Sequence, residues 1–171
     1  MRRTLVLGLT TVLAAAAISG FGLAGASASP STARTEHFQI MTTVATSRKL
    51  SVIATGRFTA GGVDIPGKTT DTAVFAAGSF KIKRHSTSFT ATFNSRTCLL
   101  TETERGTYRL RDGTGTYAGI RGSGRYVTHI LGVIRHDSRG ACTHLAAPPI
   151  FQSVFTAQGP VSGLSRRTPA S

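Results

Sequence analysis

Two carboxylates two residues apart, Glu102 and Glu104, sit inside a stretch that otherwise alternates like a β-strand, Cys98 to Arg111. A spacing of two puts them on one face of a strand. That face also carries Leu100, Tyr108 and Leu110, while the other reads Thr101, Thr103, Arg105, Thr107, Arg109 and Arg111. With the apolar face turned inward, both glutamates point into the interior. Burial there disfavours the charged form and raises the pKa, and such groups are candidates for functional sites. With Tyr108 and Tyr126 they form a candidate ligand-binding patch of Glu102, Glu104, Tyr108 and Tyr126 at a cavity mouth. A second placement also fits. A bulge at Gly106 leaves the glutamates in water at the strand end, paired with Arg105 or Arg109, because charged residues are almost never fully buried unpaired.

Other chemistries lack their residues. Gly122-Ser123-Gly124 has neither the spacing nor the helix of a nucleophile elbow. No Gly-Lys-Ser/Thr follows the glycines, so a phosphate loop fails. Glycoside hydrolysis needs two carboxylates flanking a sugar, which Glu102 and Glu104 on one strand cannot do. Asp64, Asp71, Asp112 and Asp137 read as loop or turn residues. His37, His85, His129, His136 and His144 are scattered, and His136-Asp137 with His144 is too small a set for a metal centre. No cofactor and no metal site are expected, and the residues single out no catalytic group. Cys98 and Cys142 are the only cysteines. An even count in an exported chain predicts one disulfide; a Cys nucleophile beside His144 is a generic alternative.

The elements that must position these residues are strands. Asp112 to Tyr126, DGTGTYAGIRGSGRY, is the densest glycine run after the N-terminal leader. Asp112-Gly113 reads as a turn in which aspartate caps backbone N–H groups and glycine takes positive φ. Gly115 permits a second tight position, and residues 116–119 fit one helical turn ending at Gly119. Gly122 and Gly124 leave two side-chain vacancies on one face of the next strand. Further strands are predicted at Phe38 to Val44, Leu50 to Thr59, Val74 to Lys83, Ser88 to Asn94, Arg125 to Arg135 and Ile150 to Gln158. Gly61-Gly62 and Pro66-Gly67 punctuate a loop, and His136 to Pro149 forms a connection tied by Cys142. No helical period is sustained after the leader, and strands recur every ten or so residues between turns, so the fold class is all-β, as in barrels and sandwiches.

Residues 1–28 read as a signal peptide. Arg2 and Arg3 precede an apolar core, and a small-x-small site predicts cleavage between Ala28 and Ser29. Cleavage takes two charges off the formal net charge of +13 and leaves no segment apolar enough to span a bilayer as a helix. Residues 29–35 then form a flexible lead-in, 36–162 the barrel, and 163–171 a disordered tail. The predicted location is extracellular. The basic excess lies on strand faces, at Arg57, Lys81, Lys83, Arg105, Arg109, Arg111, Arg121 and Arg125. Outside a cell it would attract anionic wall polymers or serve solubility alone. With no Trp and few exposed aromatics to stack bases, nucleic acid is not an expected partner.

Gly113-Thr114-Gly115, followed by Tyr117, Gly119, Gly122 and Gly124, resembles the glycine-rich segment of the allene oxide cyclase and dirigent-like barrel superfamily. The resemblance covers residues 36–162 and implies an eight-stranded antiparallel barrel with an apolar cavity. It transfers no activity and no catalytic residue. Three functions stay open: a binding module for a small apolar or amphipathic molecule, a dirigent- or cyclase-type enzyme, and a basic protein that binds cell-wall polymers.

Overall fold

The computed structural model describes residues 34–143 and 147–164. The predicted signal peptide with its expected Ala28/Ser29 cleavage site, His144 and the end of the tail lie outside the described residues. Eight antiparallel strands close into one barrel, each paired with its neighbours in sequence and β8 closing on β1. They are β1 (Arg34–Thr42), β2 (Leu50–Thr55), β3 (Ala60–Ile65), β4 (Thr70–Phe75), β5 (Gly78–Asn94), β6 (Leu99–Arg111), β7 (Arg121–Val133) and β8 (Ile150–Ser162). A 3-10 turn, Gly115–Tyr117, breaks the glycine corner between β6 and β7. Among the described residues no helix is long and apolar enough to cross a membrane.

Several boundaries differ from the sequence reading. Gly61 and Gly62 lie inside β3, and the loop starts only at Pro66. The stretch from Val74 to Lys83 is not one strand, because a tight turn pairs Phe75 with Gly78. Conversely, Lys83 and Ser88 belong to the same 17-residue strand. Arg34 and Thr35 are not a free lead-in; they pair with Val161 and Pro160. Leu164, just past β8, packs on the core. The bulge expected at Gly106 sits on the partner strand instead, between Ser86 and Ser88.

The strands are unequal, and that inequality shapes the molecule. β2, β3 and β4 have 6 residues each, whereas β6, β7 and β8 have 13 and β5 has 17. At about 3.3 Å per residue the long strands outrun the short ones by roughly 20 Å. The barrel is therefore complete at the end holding Arg34, Ser162 and the glycine corner. At the other end β5 to β8 project as an overhanging wall.

The complete end is filled. Phe38, Phe75, Phe80, Tyr108 and Tyr117 are buried there, and Phe58 joins them from the β2–β3 turn. Their ring centroids lie 5.0–6.3 Å apart, with mostly tilted or edge-on geometry. Such aromatic pairs contribute about 0.5–1.5 kcal/mol beyond their buried area.

The glycine corner works differently from its sequence signature. Positive φ falls on Asp112 (53°) rather than Gly113. The Asp112 carboxylate pairs with Lys81 (3.3 Å) and Arg111 (3.7 Å). The corner is held to the β4–β5 turn by Thr114, whose N–H donates to the Ser79 carbonyl and whose Oγ1 accepts from the Ser79 N–H. Gly113 is required for space, since a Cβ there would collide with the Tyr117 carbonyl.

Candidate functional site

Cross-strand register shows which side chains share the interior. Glu104 lies opposite Phe89 of β5 and Thr128 of β7; Glu102 lies opposite Ala91 and Ile130; Leu100 lies opposite Phe93 and Gly132. Continuing round the wall, Thr128 faces Phe155 of β8, and Phe155 faces Ile40 of β1. The same face of β6 carries the buried Tyr108 and Leu110. Both glutamates thus take interior positions, half-buried on the overhanging wall.

Two vacancies in the sheet seat the tyrosines. A Cβ on Gly106 would lie 2.6 Å from Cε1 of Tyr126, and a Cβ on Gly124 would lie 2.8 Å from Cε1 of Tyr108. Each ring lies over the glycine opposite it on the neighbouring strand. This arrangement divides the four residues singled out from the sequence. The Tyr126 hydroxyl donates to Glu104 Oε1 at 2.6 Å, and its ring stacks on Phe155 at 5.1 Å. Tyr108 instead belongs to the filled core, edge-on to Phe38, with no partner for its hydroxyl.

Burial pushes the Tyr126 hydroxyl up to about 12, and the hydrogen bond and charge of Glu104 act in the same direction; Arg84 and Ser86 partly offset them. Burial, then the charge of Glu36, pushes Tyr108 up to about 12.

The structure adds acidic residues that sequence reasoning missed or misplaced. Asp64 and Asp71 are not loop residues. They lie on β3 and β4, 1% and 4% exposed, on the interior face. Asp71 is neutralised by Arg84 of β5, whose Nε is 2.8 Å from Oδ2 and whose Nη2 donates to Oδ1 at 3.1 Å. The Gly67 N–H also donates to Asp71, and Arg84 donates to the Gly67 carbonyl, so the pair clasps the β3–β4 turn. Asp64 has no such relief. Neither carboxylate oxygen has a hydrogen-bond partner. Burial first, then the neighbouring charge of Asp71, raises its pKa to about 7, against a smaller lowering by Arg84.

Glu36 is fully buried at the filled end, where Oε2 accepts from the Phe58 N–H at 3.1 Å. Burial raises its pKa despite backbone hydrogen bonds from Phe58 and Arg57 and the charge of His37. Its place was readable: Glu36 alternates with Phe38 and Ile40 and so shares their face.

Cys98 and Cys142 form a disulfide that ties the β7–β8 connection to the β5–β6 hairpin. His136 lies close to both sulfurs, but the bonded sulfurs are not thiolate ligands. A separate trough of about 600 Å³ lies on the outer surface across β1, β2, β7 and β8, with Arg125, His37 and Gln158 on its rim.

No family model, curated protein or solved structure matches this chain. The open end is accordingly read from its own chemistry. It offers an apolar wall with Phe89 59% and Phe93 41% exposed. That wall also carries Glu102 and the Tyr126–Glu104 pair, and the interior holds the Asp64–Asp71–Arg84 group. Such a surface can cover the apolar body of a small molecule and fix a polar end.

Proposed function

We propose that this protein is an extracellular binding module that holds a small amphipathic molecule at the open end of its barrel. The observation that carries the reading is the overhang. Long strands present an interior apolar face there, whereas the other end is plugged by six aromatic rings. Ligand sites of this type combine a largely apolar lining with a few placed polar groups. Phe89, Ile130 and Phe155 supply the lining, and Tyr126 with Glu104 supplies the orienting end. Tyr108, expected at the mouth, has a place in the core instead. The disulfide is compatible with an oxidising compartment, and the leader residues support export. The closed eight-stranded topology is consistent with an allene oxide cyclase or dirigent-like barrel.

Native mass spectrometry tests the proposal. Protein isolated without denaturation should carry a small-molecule mass that disappears on unfolding and is missing from a Phe89→Ser/Ile130→Ser double variant. If the protein carries no adduct and takes none up from an apolar cell extract, the reading is wrong.

A second reading rests on the exterior. Lys83, Arg105, Arg109, Arg111 and Arg125 are outward and exposed, and Arg125 borders the outer trough. An anionic wall polymer would bind there mainly through charge and be released by salt.

A further inference from the structure

The protein is strongly basic, yet its acids are gathered inside. Of its seven acidic residues, Glu36, Asp64, Asp71, Glu102 and Glu104 occupy interior-face positions. Asp112 and Asp137 lie in exposed turns. The interior cation among the described strands is Arg84, already engaged by Asp71 and the Gly67 carbonyl. Of the other interior acids on or beside the open end's strands, Asp64, Glu102 and Glu104 have between them one tyrosine hydroxyl as donor, on Glu104. An interior carboxylate carries a desolvation penalty unless a partner compensates it. Asp64 is 1% exposed and has two oxygens without donors; the buried Thr128 hydroxyl is likewise unpartnered. A buried acceptor without a donor is normally avoided, so its persistence marks a place for a donor from outside the chain.

We propose that the molecule held at the open end is a cation, an amine with an apolar body, whose N–H groups bind Asp64 with Glu104 and Glu102 beside them. This rests on the reading of the open end as the ligand site. A carboxylate-bearing ligand would meet three carboxylates and one cation that is already paired. A neutral alcohol can donate a single hydrogen bond and leaves the interior charge uncompensated. Charge-assisted hydrogen bonds are roughly twice as strong as neutral ones, so the head group decides the ranking among ligands with equal tails. The basic exterior does not reverse this, because its field is screened beyond about 8 Å at physiological salt.

The test is calorimetric titration of the disulfide-intact protein with decylamine, decanol and decanoate, three probes with the same alkyl chain. Decylamine is expected to bind at least about tenfold more tightly than decanol, with decanoate weakest. Asp64→Asn combined with Glu104→Gln should bring decylamine to the level of decanol. The variant Glu102→Gln, at a half-buried position, should lower decylamine affinity more than decanol affinity, which keeps the test open if the double variant does not fold. Equal binding of amine and alcohol overturns the charge assignment and leaves the open-end site intact. Failure of all three probes removes the site itself, and the amine with it. Tight binding of calcium ions that displaces decylamine overturns the amine in favour of a metal.

Discussion

Replacing Asp64 by asparagine should change how stability depends on pH, not only its level. The carboxyl is buried among β3, β4 and β5, its pKa is raised from 3.8 to about 7, and the charged groups acting on it are Asp71 and Arg84. In the unfolded chain Asp64 ionises near 3.8; in the folded chain it keeps its proton to about 7. Between those values the folded state binds the extra proton, so raising the pH favours unfolding. Stability from this group is fully present below 3.8 and is lost progressively until the pH passes about 7. The slope is about 1.4 kcal/mol per pH unit, which accumulates to about 4 kcal/mol across the window. Asparagine has no proton to lose, so the variant should gain that amount on the wild type between acid and neutral pH. The chain has no Trp, so urea unfolding is best followed by far-UV circular dichroism, without reductant. Parallel stability curves for the two proteins from about pH 4 to pH 8 would show that Asp64 does not titrate as its burial requires.

Two further outcomes follow from the packing. Gly106→Ala places a methyl 2.6 Å from the Tyr126 ring and against the β5 backbone, and should cost about 1–3 kcal/mol as overpacking in a rigid sheet. Gly61→Ala, whose added Cβ meets nothing within 4 Å, should be neutral or slightly stabilising; chemical denaturation of both variants compares them, and equal effects would refute the ring-over-glycine account. Replacing Cys98 and Cys142 by serine opens a loop of separation 44. The chain-entropy relation assigns that closure about 4 kcal/mol, to be read as a fall in the urea midpoint, and an unchanged midpoint would contradict it.

The local rules that made the strands legible also account for the errors. β6 and β7 were readable because alternation is a property of the chain itself: even positions from Leu100 to Leu110 face one way whatever packs on them. The cysteine pairing followed from count and context, and Gly122 and Gly124 lie on one face of β7 as their spacing requires. β3 was hidden because Gly61 and Gly62 imitate a turn, and only pairing with β2 and β4 holds them extended. Asp64 and Asp71 were misplaced for a related reason. Aspartate favours turns when local hydrogen bonding decides, but here barrel closure sets their orientation and Arg84, 13 residues beyond Asp71, supplies the countercharge.

The sequence by itself determined the all-β class, the two-residue periodicity and the sites of the tight corner, since these depend on side-chain alternation and backbone sterics within a few residues. Only the tertiary structure decided that Tyr108 belongs to the core and Tyr126 to Glu104, and that acids gather inside a basic protein. Those facts depend on register between strands and on unequal strand lengths, which bring together residues that no local rule relates.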